Sequence, residues 1–133
     1  MAAPRTAVGV DLGSQKTGLA VALEGVPLPR GIVPTAQAAQ AILALAAEVG
    51  AAAVVVGMPD ACYVARRTAT EKFVRGLRAK LPAHVALETA DEGCTTFEAD
   101  ADASDDPSYG GRKPARDDMA AAAILGRWLA PKK

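Results

Sequence analysis

Histidine, cysteine and aromatic residues are scarce in this chain of 133 residues. The only histidine is His84, and the only cysteines are Cys62 and Cys94. The cysteines stand far apart and match no metal-ligand spacing, so free thiols are expected rather than a zinc site. His84 opens an apolar segment and reads as a structural residue, not a general base. Two Phe, two Tyr and one Trp leave the core to aliphatic side chains, which are plentiful because half the residues are hydrophobic. No apolar run reaches the roughly 20 residues that span a bilayer. The start, "MAAPRTAVGV", lacks the apolar stretch and cleavage site of a signal peptide. A soluble cytoplasmic protein without a membrane partner is the expectation. Net charge is also lacking, with 15 basic and 15 acidic residues.

The charge that is present is unevenly placed. Residues 64 to 80 carry Arg66, Arg67, Lys72, Arg75, Arg78 and Lys80 against Glu71 alone. From Glu88 to Asp106 there are acids and no base, and the tail from Arg112 is basic again. Local patches therefore matter more than the total.

Short apolar segments organise the chain. "TAVGVDL" (6 to 12) and "TGLAVAL" (17 to 23) read as strands. The turn between them is too short for a parallel crossover, so the pair is antiparallel. "PRGIVPT" (29 to 35) reads as a third strand, and Thr35 as the N-cap of a helix that Gly50 stops. "AAAVVVG" (51 to 57) has the wholly apolar, β-branched character of a strand covered on both faces. "VARRTATEKFVRGLRAKL" puts Ala69, Phe73, Leu77 and Leu81 on one helical stripe. "HVALET" (84 to 89) is a further strand, "SDDPSYGGRKP" a loop, and 116 to 129 a last helix. The order β-β-β-α-β-α-β-α predicts an α/β fold: a mixed five-stranded sheet, its first three strands an antiparallel meander, flanked by helices. Nothing in the chain marks a linker, so residues 1–133 read as a single domain.

Three acids stand out by position. Asp11 ends the first strand, Glu92 follows the 84-to-89 strand, and Asp118 falls in the first turn of the last helix beside a rival, Asp117. Each has a local reading: Asp11 as a turn residue, Asp118 as a helix cap, Glu92 as a surface acid. Asp11 is the hardest to explain so, because an acid in an apolar strand needs a partner. If the strand ends share one side of the sheet, the three converge. Clustered carboxylates repel one another unless a cation neutralises them, and hard oxygen donors suit Mg2+ or Mn2+. Paired ions of this kind activate a water and stabilise the leaving oxygen of a phosphodiester. Gly9, Gly13 and Gly18 offer a second use, as clearance for a phosphate against the backbone. "DLGSQKTG" resembles the phosphate-binding hairpin of the sugar kinase, heat-shock chaperone and actin superfamily, whose two large domains exceed this chain length.

Four segments together, "VGVDLGSQKTGLAVA", "VVVGMPD", "ETADEGCTTFEAD" and "RKPARDDMAAAAILGRWL", resemble the YqgF/RuvX family of bacterial nucleases. The resemblance runs from about Ala7 to Leu129 and implies a ribonuclease H-like fold. It implies Holliday junction resolution, maturation of precursor 16S ribosomal RNA, or both. It also implies Asp11, Glu92 and Asp118 as catalytic residues and metal ligands. Leu12 stands where the family usually has Pro, Gln15 replaces a basic residue beside Lys16, and Gly93 replaces an Arg. The loop after "VVGMP" also departs, reading "DACYVARR". Lys16, Arg66, Arg67, Lys72, Arg112, Lys113 and Arg116 are the candidate phosphate contacts, with Arg66 and Arg67 standing in for the Arg missing at 93. A branched DNA or precursor RNA partner follows, and a symmetric junction favours a homodimer. The competing expectations are a non-catalytic nucleic-acid or ribosome-associated factor with the same fold, and a nucleotide-binding hairpin protein.

Overall fold

The computed structural model describes residues 6–59, 62–91 and 117–130. Strands β1 (Ala7–Leu12), β2 (Lys16–Leu23) and β3 (Val26–Pro34) come first. Helix α1 (Ala38–Val49), strand β4 (Ala53–Met58), helix α2 (Val64–Lys80) and strand β5 (Ala86–Asp91) follow, and helix α3 (Asp117–Leu129) is last. The sheet order is β3-β2-β1-β4-β5. β1 to β3 form the expected antiparallel meander, while β4 runs parallel to both β1 and β5.

The third strand begins earlier than its sequence suggests, at Val26 rather than Pro29. Glu24 and Gly25 both take positive φ, 52° and 84°, which is the backbone of a tight two-residue hairpin turn. Pro27, Pro29 and Pro34 disguise the strand, yet β3 lies at the sheet edge, where a residue without an N–H is tolerated. Thr35 also departs from expectation. It opens a 3-10 turn, and α1 is preceded by Gln37 with no side-chain cap. The Thr35 hydroxyl instead donates to the Gly13 carbonyl at 2.8 Å and pairs with the Thr17 hydroxyl at 2.8 Å. Its N–H donates to the Gln15 carbonyl, so one residue holds the β1–β2 turn from three sides. Gly50 ends α1 in the left-handed conformation, as its position predicts.

The two sheet faces are built from different side chains. Val8, Val10, Leu19, Val21, Val54 and Val56 pack on α1 and α2 through Ile42, Leu45, Val74 and Leu77. Ala7, Ala20, Ala22, Ala53 and Val55 pack on α3 through Ala121, Ile124 and Leu125. The buried stripe of α2 is Thr70, Val74 and Leu77, rotated from the expected one, and Ala69 is exposed. Thr70 is buried because its hydroxyl donates to the Arg66 carbonyl one turn back at 2.8 Å, a bond that a hydrophobic pattern does not register. Among the described residues, no helix is long and apolar enough to cross a membrane.

Candidate active site

Strand alternation sets which way the first acid faces. Ala7 belongs to the α3 side of the sheet, so Gly9 and Asp11 share that side. Gly9 confirms it: a Cβ there would lie 2.6 Å from Leu125 Cγ and 2.8 Å from the Ala121 carbonyl oxygen. Helix α3 occupies the space above Gly9, so this glycine serves helix packing and not phosphate clearance. Gly13 is likewise consumed by the turn, where a Cβ would strike the Lys16 carbonyl. Gly18 stands directly opposite Asp11 on β2.

The direction of α3 places the second acid. A Cβ on Gly126 would approach Pro27, which is in register with Ala22 and, through it, with Ala7 at the start of β1. The end of α3 is therefore level with the start of β1, and its first turn lies toward the end of the sheet that holds Asp11. Asp118 precedes Ala121, the residue over Gly9, by three positions, close to one helical turn. Asp11 and Asp118 thus share one face and one end of the sheet. Asp118 is 2% exposed and Asp11 half-buried. Every buried side-chain nitrogen or oxygen among the described residues has a hydrogen-bond partner, so the buried carboxylate is built in, not stranded. Its place in the first helical turn also sets it among N–H groups and the positive end of the helix dipole.

Glu92 lies outside the described residues. The strand before it ends at Asp91, in register with Met58 at the end of β4. Val10 is in register with Val56, so β1, β4 and β5 all end along the same edge. Among the described residues, no three His, Cys, Asp or Glu side chains form a metal-holding group.

The basic candidates separate by environment. Lys16 is exposed at the start of β2, and Lys72 is exposed on α2. Arg66 is exposed in the first turn of α2, on the wall of a cleft of about 200 Å³ that it shares with Leu12, Gly13 and Ser14 of the β1–β2 turn. Arg67 is otherwise engaged: one guanidinium nitrogen donates to the Pro59 carbonyl at 2.7 Å, and Nε lies 3.4 Å from a Glu71 oxygen. Arg112, Lys113 and Arg116 lie outside the described residues. The Thr17–Thr35 pair that braces the turn after Asp11 was not legible as a site feature, although Thr17, a polar residue inside an apolar strand, was the available signal.

A family model described as RuvX, Holliday junction resolvase, matches residues 5–131. The chain belongs to the RuvX family. Comparison with curated proteins gives no match. Among solved structures, the RuvX chain is similar to T. thermophilus RuvC in complex with Holliday junction substrate, at 18% identity and a TM-score of 0.50. That likeness covers 93% of this chain and 90% of RuvC, and it supports the ribonuclease H-like fold. A fainter one, to the Aquifex aeolicus PPX-GPPA enzyme, has 14% identity and a TM-score of 0.37, covering 65% of this chain and 36% of that one. As a RuvX family member the chain is a Holliday junction resolvase-like nuclease.

Proposed function

We propose that the chain is a divalent-metal-dependent nuclease, acting as one ribonuclease H-like unit on structured nucleic acid. A four-way DNA junction is its first expected substrate, and precursor 16S ribosomal RNA its second. The observation that carries this reading is the placement of Asp11 and Asp118 on one face and one end of the sheet, from β1 and α3. Carboxylates on one face and one end of the sheet are candidate hard-oxygen donors, a chemistry that fits Mg2+ or Mn2+. Asp11, Asp118 and Glu92 would hold the ions. When bound, they supply Lewis-acid stabilisation of charge on the phosphate and lower the cost of deprotonating a water.

The chain's own residues do the rest. Asp118 is fixed by burial, so its carboxylate does not reorient during the reaction. The Thr35 brace fixes the backbone just after Asp11. Lys16 and Arg66, both exposed near the end of β1, draw the nucleic-acid backbone to the acids without reading sequence. A two-fold pair of chains would match the symmetry of a junction.

The test is cleavage of a four-way DNA junction, a duplex and precursor ribosomal RNA, with magnesium, manganese or chelator. Asp11→Asn and Asp118→Asn are each expected to reduce cleavage at least a hundredfold while leaving a folded protein by circular dichroism. Cleavage that survives chelation or Asp11→Asn would sink the mechanism. Gly93, standing where the family carries an Arg, favours one rival, a non-catalytic factor with this fold. Metal titration by calorimetry separates the two, since a disused site would not bind.

A further inference from the structure

We propose that the cleft between the β1–β2 turn and the start of α2 is a subsite for one sugar–phosphate unit of the substrate strand. The proposal rests on the nuclease reading above. Leu12, Ala65 and Ala69 supply apolar walls, with Ser14 and Arg66 as the polar partners. Thr70 also lines the cleft, but its hydroxyl is spent on the Arg66 carbonyl. Ser14 and Arg66 are therefore the side-chain groups the cleft can offer a ligand. An apolar floor with a guanidinium suits the apolar face of a sugar and the charge of its phosphate.

Two adjacent arginines divide the work. The Arg67 guanidinium is held by the Pro59 carbonyl and Glu71, and so ties the first turn of α2 to the residue just after β4. The Arg66 side chain forms no ion pair with a described residue. Leu12 follows Asp11 directly but faces the α2 side, and the turn at Gly13 and Ser14 carries the cleft over the sheet edge. A nucleic-acid strand laid over that edge passes Asp11 and then enters the cleft. The subsite thus accounts for phosphate binding in a chain that carries Gly93.

The test uses Asp11→Asn protein, so that substrate is bound without being cut, and a four-way DNA junction titrated at several salt concentrations. Arg66→Gln is expected to weaken binding roughly tenfold or more and to lower the salt slope by about 1. Arg78→Gln makes the same charge change near the far end of α2 and is expected to leave both unchanged. Ala69→Leu, at an exposed position, fills the cleft and is expected to weaken binding with unchanged circular dichroism. Junctions carrying a neutral methylphosphonate at successive positions then locate the contact: at one position the Arg66→Gln penalty should vanish. Binding that is intact in both Arg66→Gln and Ala69→Leu overturns the subsite alone, as does a penalty that no neutral linkage removes. An Asp11→Asn protein that binds neither junction nor precursor RNA overturns the nuclease reading, and the subsite with it.

Discussion

A valine at position 9 would put its side chain where Leu125 already lies. Even a lone Cβ falls inside contact distance of Leu125 and of the Ala121 carbonyl, so α3 must lift for any side chain to fit. Overpacking of this kind costs about 1–3 kcal/mol. Because α3 also carries Asp118, the loss should extend from stability to chemistry: Gly9→Val is expected to lower the urea midpoint and to cut junction cleavage about a hundredfold. Gly76 is the contrast. Nothing lies within 4 Å of a Cβ there, on an exposed turn of α2, so Gly76→Ala should stabilise by up to about 1 kcal/mol and leave cleavage unchanged. From sequence, both are glycines among helix and strand formers. What separates them is a helix more than a hundred residues downstream of Gly9, which no local pattern reports.

At the scale of the elements, the β1–β2 turn depends on a distant partner. The Thr35 side chain bridges the Gly13 carbonyl and the Thr17 hydroxyl, and Thr17 is fully buried. Thr35→Val keeps the shape and removes the hydroxyl, leaving that bridge unmade. The expected cost is about 1–3 kcal/mol in chemical denaturation, together with weaker metal binding by calorimetry, since Asp11 sits immediately before the loosened turn. Thr35 before an alanine-rich helix predicts a cap, and the rule behind that prediction is sound. It fails here because a turn carbonyl on β1–β2 competes for the hydroxyl. The same competition shifts the buried stripe of α2: Thr70 reads as polar, yet its hydroxyl is satisfied within its own helix.

At the scale of the whole molecule, helix α3 alone among the described residues covers the alanine face of the sheet. A chain ended before Asp117 would expose Ala7, Ala20, Ala22, Ala53 and Val55 to water together. Such a truncation is expected to bind a hydrophobic dye and to lose its cooperative thermal transition. The element order and the mixed sheet were legible in the sequence because each strand is a short apolar run bounded by turn residues. Asp11 was legible because an acid is conspicuous in such a run. Asp118 needed more: its burial follows from the path of α3 across the sheet, and its rival Asp117 differs by a single step of helical rotation. The different tasks of Arg66 and Arg67 were invisible, because a carbonyl at Pro59 makes the distinction.

The prolines of β3 bear on how copies of this chain can associate. A strand that tolerates Pro27 and Pro29 within its ladder to β2 keeps those nitrogens on its outer side, where a neighbouring strand would otherwise find donors. At those two positions the border offers no N–H donor, which disfavours zipping two copies together there into one continuous sheet. A backbone ladder shared between two copies would therefore fall to β5, the opposite edge of the sheet, and any other pairing would be oriented by side-chain packing.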